Sequence, residues 1–252
     1  MKVLELRNVN LKFGGLLAIN NLSFSIDENQ IFALVGPNGA GKTSVFNTIS
    51  RFCEVNSGDI LLTGNSIMNL RPHELAGVGV ARTFQNIELF SNATVLENLL
   101  VASHSKKHTG FLSELFFLPK VFSQELEFRE TAEKVIDLLE LQPYREKRPS
   151  ELPYGIRKVV ELARALALEP KILLMDEPGS GLSVEEKQDL AFWIHDIREI
   201  LGITIVLIEH DLTVVREVSD KVAVLAGGKL IWEGKPNDLD KHDQVIEAFI
   251  GQ

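Results

Sequence analysis

The octapeptide GPNGAGKT at positions 36–43 constrains this chain more than any other stretch. A short apolar run, Ile31-Phe32-Ala33-Leu34-Val35, leads into it, and a helix-compatible segment over 44–49 leaves it. Strand, glycine-rich turn and helix is the context that a G-x-x-x-x-G-K-[ST] loop needs to cradle phosphates. Gly36, Gly39 and Gly41 can take positive φ, so that successive N–H groups converge on one concave site. Pro37, Asn38 and Ala40 fill out the loop and Ser44 opens the helix, whose N-terminus adds roughly half a positive charge aimed at the same point. Lys42 is placed to reach the β- and γ-phosphates and the Thr43 hydroxyl to coordinate Mg²⁺. The alternative is a glycine-rich hairpin with a stray lysine. Ordinary composition would produce the pattern in roughly one chain in a hundred of this length, before its flanks are counted. Nucleotide triphosphate binding is the expectation.

At 252 residues the chain can build one large domain or two small ones. Its net charge of −9 argues against an extended nucleic-acid footprint, which needs a basic face. Cys53 is the single cysteine, so no intrachain disulfide forms, which fits a reducing compartment. The N-terminus runs directly into a strand pattern with no signal-peptide character, and no apolar run approaches the ~20 residues that span a bilayer. Any membrane role is expected to be made through a partner.

Residues 2–13 and 21–26 are rich in strand formers, with Gly14-Gly15 as the turn between them. Phe13, just before that turn, reads by itself as a buried strand aromatic. Strand signals follow at 58–65 and 79–85; helical spacing then takes over from 86 to about 150, notably at 94–100 and 125–141, with Asn92 or Thr94 as the cap of the first. Half of the 14 phenylalanines fall between Phe84 and Phe128, and the stretch FLSELFFLP at 111–119 is unusually apolar. It reads either as a small local helical core or as a surface that docks on a membrane-embedded protein. Further on, 171–177 is an apolar strand ending in two carboxylates, 184–201 a helix, and 203–208 another apolar strand with Glu209-His210-Asp211 at its end. A hairpin is expected around Gly227-Gly228 and a short helix over 242–250. Alternating strands and helices predict an α/β fold with a mostly parallel sheet, whose ligands sit at the carboxyl ends of the strands. The phosphate loop, Asp176-Glu177 and His210 all fall at such ends.

A phosphate loop with Mg²⁺ needs a carboxylate at the end of a nearby apolar strand, and Asp176 fits. Glu177 can accept a proton from an attacking water. A solvated turn would also carry an Asp-Glu pair, but not after so apolar a strand. His210 can orient water or contact the γ-phosphate, and Gln85 can sense metal and water.

Taken in order, GPNGAGKT, Gln85 in RTFQ, the helix start at LPYG, the strand ILLMDEP and His210 resemble the ATP-binding subunit of ABC transporters, over essentially the whole chain. The resemblance implies a P-loop ATPase fold with an N-terminal antiparallel β-subdomain, a nucleotide-binding core over 1–85 and 151–252, and an inserted helical subdomain over 86–150, all within one domain. It implies that ATP and Mg²⁺ are bound, that Phe13 stacks on adenine, and that Gln85 couples the site to membrane subunits. Thr43, Gln85 and Asp176 would serve the metal, Glu177 the catalytic base and His210 the switch. Two ATP-binding subunits would enclose two ATP molecules, each also touched by Pro153, Tyr154 and Gly155 from across the dimer.

The sequence departs from the family pattern LSGGQ at Leu152-Pro153-Tyr154-Gly155-Ile156, where Pro153 lacks both hydroxyl and N–H. Gly155 and a helix from 156 to about 168 can still present N–H groups. The loop Ser180-Gly181-Leu182-Ser183 lacks the usual aspartate. A weaker signature predicts pairing with a different, more consensus subunit. Within the family, RTFQNIELFSNATVLENLLVA, the Phe-rich insertion, the YG-type signature and IEHDLTVV are most similar to the Liv-type subunits that energise uptake of branched-chain and other hydrophobic amino acids. That likeness implies permease subunits, an extracytoplasmic substrate-binding protein, and a peripheral position on the cytoplasmic face of the membrane. The rival readings are an ABC transporter for urea, short amides or a lipid, a non-transport ABC ATPase, and a binding-only P-loop module, which would not need Glu177 and His210.

Overall fold

The computed structural model describes residues 1–103 and 119–250. Two sheets organise these residues. Strands β1 (Lys2–Phe13), β2 (Leu16–Asp27), β4 (Ser57–Leu62) and β5 (Asn65–Ser66) form an antiparallel sheet in the order β2-β1-β4-β5. A second sheet runs β10-β9-β3-β8-β7-β6, built from β3 (Ile31–Val35), β6 (Val80–Thr83), β7 (Ile172–Asp176), β8 (Thr204–Ile208), β9 (Lys221–Ala226) and β10 (Lys229–Gly234). Its strands are parallel except for the β9–β10 hairpin, which turns at Gly227-Gly228.

The central strands β3, β7 and β8 are buried at every position, which is why they read as continuous apolar runs rather than alternating ones. Alternate residues nevertheless serve two different cores, because a strand points successive side chains to opposite faces. Phe32, Leu34, Leu174 and Val206 point toward the antiparallel sheet and α1 (Lys42–Ile49), where Phe24 and Phe32 stack with ring centroids 5.3 Å apart. Ile31, Ala33, Val35, Leu173, Met175 and Leu207 point the other way, into a core shared with the remaining long helices. Those helices are α3 (Val95–Ser103), α4 (Pro119–Leu138), α5 (Tyr154–Leu166), α6 (Val184–Leu201) and α7 (Leu212–Val218); α2 (Leu75–Val78) precedes β6, and α8 (Asp243–Ile250) closes the described chain.

Several boundaries differ from the sequence expectation for identifiable reasons. The first turn of α3 is closed by Thr94, whose Oγ1 accepts from Glu97 N–H while Glu97 Oε2 accepts from Thr94 N–H; Asn92 has no part in that capping box. Helix α5 starts at Tyr154 rather than at Ile156, since Pro153 in an extended conformation (φ −55°, ψ 157°) serves as its N-cap residue. Helix α7 has no counterpart in the sequence reading; Asp211 caps it by accepting from Thr213 N–H. Residues 111–118 of the apolar stretch lie outside the described residues.

Candidate functional site

Gly36 ends β3 at φ 147°, and a Cβ there would stand 2.1 Å from Leu225 O, so only glycine lets the chain leave the sheet here. The first hydrogen bond of α1 runs from Val45 N–H to Gly41 O at 2.9 Å. The N–H groups of Lys42, Thr43 and Ser44 therefore precede the helical ladder and emerge at its N-terminus. Lys42 is 5% exposed and folds back over the loop, Nζ donating to Gly36 O at 2.7 Å and Pro37 O at 2.9 Å. Burial lowers its pKa, and the carboxylates of Glu177 and Asp176 oppose that by favouring the ammonium. Asn38, Gly39 and Thr43 are exposed on the loop, Pro37, Gly41 and Ser44 are half-buried, and Ala40 is buried.

Strand β7 delivers Asp176 and Glu177 beside this loop, but to different tasks. Asp176 is buried and ion-paired, its Oδ2 2.8 Å from Arg82 Nη2. Arg82 also donates to Asn47 Oδ1 at 2.8 Å and lies over the rings of Phe46 and Phe84, 5.6 and 5.2 Å from their centroids. It thereby joins β6, α1 and β7. Glu177 turns away at φ 49°, a left-handed conformation that costs an unbranched L-residue about 1–2 kcal/mol. Its N–H still reaches Ile208 O at 2.9 Å, so the carboxylate is aimed off the end of a sheet that remains hydrogen-bonded. Gln85 Nε2 donates to Glu177 Oε2 at 2.9 Å, and His210 Nε2 lies 2.7 Å from Glu177 Oε1. Residues 85, 177 and 210 thus form one polar cluster at the carboxyl ends of β6, β7 and β8.

Phe13 sits at the β1–β2 hairpin and keeps 49% of its surface exposed, so its reading as a buried strand aromatic does not hold. The strand ends there at a two-glycine turn, beyond the sheet that would cover the ring. The same hairpin runs beside the phosphate loop: a Cβ on Gly41 would stand 2.5 Å from Ala18 O. At the signature, Pro153 is exposed and Tyr154 is 43% exposed, with the Arg157 and Lys158 cations 5.8 and 5.7 Å from its ring centroid. Gly155 is buried, and a Cβ there would meet Glu186 Oε1 at 2.0 Å. Ser183 caps α6 in a capping box with Glu186.

The oxygen donors offered to a metal are the Thr43 hydroxyl and the Asp176 carboxylate, hard ligands of the kind Mg²⁺ takes. Among the described residues no group of three or more His, Cys, Asp or Glu can hold a metal alone.

Sequence reasoning passed over Arg82, Lys158 and Glu209. Glu209 is 5% exposed, and burial raises its pKa against hydrogen bonds from the backbone of Gly179, His210 and Asp211. Burial likewise lowers the pKa of Lys158, with Glu209 the largest opposing charge. The available signal was positional: Arg82 stands within RTFQ, and Glu209 directly follows a wholly apolar strand.

The sequence profile of the ABC transporter family matches residues 19–180. The chain belongs to that family. Among ABC transporter ATP-binding proteins, it is 38% identical over 250 residues to the high-affinity branched-chain amino acid transport ATP-binding protein BraF of Pseudomonas aeruginosa, covering 99% of this chain and 98% of that one. It is 37% identical, with the same coverage, to the LivG protein of Salmonella typhimurium, which carries the same description. Among solved structures, an ATP-binding cassette of an ABC transporter in its ADP conformation superposes with a TM-score of 0.86 at 32% identity and full coverage of both chains. A dimeric ATP-binding cassette in a post-hydrolysis state, bound to ADP and phosphate, matches with a TM-score of 0.76 at 25% identity, over 92% of this chain and 98% of that one. This ABC cassette is therefore an ATPase of a transport system, with an α/β fold of the same kind. Among its described residues, no helix is long and apolar enough to cross a membrane.

Proposed function

We propose that this ABC cassette hydrolyses ATP with Glu177 as general base and so powers import of branched-chain or other hydrophobic amino acids. The observation that carries the chemistry is the Glu177 carboxylate, held between Gln85 and His210 off the end of the sheet beside the phosphate loop. In this reading the residues of 36–44 bind the phosphates, Lys42 supplying the one buried cation of the loop, and Phe13 stacks on the adenine. Thr43, Asp176 and Gln85 would hold the metal, and a bound Mg²⁺ would supply positive charge against the developing charge of the phosphates. Glu177 takes a proton from water as the water oxygen bonds to the γ-phosphorus. The bond from that phosphorus to the β–γ bridging oxygen breaks, leaving ADP and inorganic phosphate. His210, hydrogen-bonded to the base, orients it.

The site needs a second ATP-binding subunit, whose signature supplies the groups that Pro153, Tyr154 and Gly155 offer in the opposite direction. A dimeric relative of the same fold supports that arrangement. Pro153 offers no hydroxyl, which favours a heterodimer with a more consensus subunit. Gln85 couples the site to permease subunits at the cytoplasmic face of the membrane, with a substrate-binding protein on the far side. The amino-acid assignment rests on whole-length similarity to proteins described as branched-chain amino acid transport subunits.

The test is to purify this chain with its native membrane complex, identify the partners, and measure uptake of labelled leucine against urea in vesicles. ATP-dependent leucine uptake is expected. Exclusive urea uptake would overturn the substrate while leaving the ATPase chemistry in place.

A further inference from the structure

The loop that follows the catalytic carboxylate, residues 177–180, is gripped from two sides by charged groups with no assigned role. On one side Lys158 of α5 donates through Nζ to three backbone carbonyls, Ser180 O at 2.5 Å, Pro178 O at 3.2 Å and Glu177 O at 3.4 Å. On the other, Glu209, the first residue after β8, accepts from Gly179 N–H at 2.7 Å through Oε1 and from His210 N–H at 3.2 Å through Oε2, with Asp211 N–H as a further donor. Gly179 is shaped to this approach: a Cβ on it would lie 2.9 Å from Glu209 Oε1.

Packing alone does not fix this loop. Pro178 and Leu182 border a cavity of about 80 Å³, lined also by Lys158, Phe84 and Trp193, so one flank lacks close-packed neighbours. The left-handed Glu177 needs external restraint as well, since such a conformation persists only where its surroundings over-determine it. Carbonyls pulled toward an ammonium and N–H groups pulled toward a carboxylate provide that restraint, with charge-assisted bonds at both ends.

We propose that Lys158 and Glu209 are positioning residues that stretch the 177–180 loop between the signature helix and the end of β8, so that the placement of α5 sets the aim of Glu177. The geometry links two half-sites within one subunit. Helix α5 begins at Tyr154, in the segment assigned to the partner subunit's nucleotide, whereas Glu177 serves this subunit's own. A shift of α5 on engaging the partner's nucleotide is passed by Lys158 to the backbone carbonyl of Glu177.

This inference rests on the ATPase reading, and the experiment separates the two. The full-length chain, in its purified transporter complex, is compared with Lys158→Met, Lys158→Arg and Glu209→Gln. Arginine can still donate to several carbonyls. The glutamine of Glu209→Gln keeps the shape but turns an NH₂ toward N–H donors. Lys158→Met and Glu209→Gln are expected to lower kcat roughly tenfold or more while KM for ATP stays nearly unchanged, as for a base displaced within an intact site. Lys158→Arg is expected to restore most of the turnover. Amide hydrogen exchange of the peptide containing Gly179 is expected to rise in Lys158→Met and Glu209→Gln and to return toward wild type in Lys158→Arg. Wild-type turnover and exchange in both disabling variants would overturn the proposal, as would equal loss in Lys158→Arg and Lys158→Met. Wild-type protein that binds ATP without hydrolysing it would instead overturn the ATPase reading, and with it the assigned purpose of the clamp.

Discussion

Glu177 Oε1 and His210 Nε2 stand 2.7 Å apart although 33 residues separate them, because β7 and β8 are adjacent parallel strands that end at the same level. Gln85 holds the other carboxylate oxygen. Replacing His210 by Ala removes one of two side-chain restraints on the base and leaves the phosphate loop untouched. Turnover is expected to fall by about 10²-fold, within the range for a lost acid–base partner, with little change in ATP affinity. Steady-state hydrolysis beside binding of a fluorescent ATP analogue measures both.

The Arg82–Asp176 ion pair has both side chains under a tenth exposed, and it ties β6 to β7 and α1. Breaking a buried pair from one side strands the other charge at a cost of about 3–5 kcal/mol. Arg82→Met is therefore expected to lose about 3 kcal/mol in urea unfolding. Adding Asp176→Asn to it should recover part of that loss, since the stranded charge is then gone. An additive double variant would show that the pair does not act as one.

Glu161 on α5 is buried, with its pKa raised by desolvation despite a hydrogen bond from Phe84 N–H at 3.1 Å. A carboxyl with a raised folded-state pKa binds more protons folded than unfolded, so its contribution to stability falls as pH rises through the interval between the two values. Glu161→Gln keeps the acceptor for Phe84 N–H and cannot ionise. The variant should gain stability relative to wild type as pH rises above the ordinary glutamate value of about 4, read as a widening difference in unfolding free energy. A difference constant over that range would contradict the assigned desolvation.

The parts of this molecule that could be read from the sequence are those written in local pattern. The loop 36–43 needs particular residues at fixed spacing, and strands β3, β7 and β8, buried on both faces, appear as unbroken apolar runs. Their parallel order then brought Glu177 and His210 together, a meeting foreseen from strand ends alone. The contacts that escaped the sequence join residues distant along the chain through charge. Nothing local marks Arg82 as the partner of Asp176, 94 residues on, or Lys158 as a donor to the carbonyls of 177–180. Phe13 was misread when taken alone because strand periodicity does not say where a hairpin outruns its sheet. Helix α7 was missed because its seven residues are too few to establish a period.

The most direct test of the account is the fate of ATP on Glu177→Gln. Gln85, His210 and the phosphate loop remain, so the variant should bind ATP as tightly as wild type and retain it uncleaved. Single-turnover hydrolysis in the purified transporter complex, started with radiolabelled ATP and Mg²⁺, measures this. The prediction is stoichiometric trapped ATP with turnover reduced by about 10²-fold or more. Hydrolysis at the wild-type rate would remove Glu177 as the base and contradict the central claim.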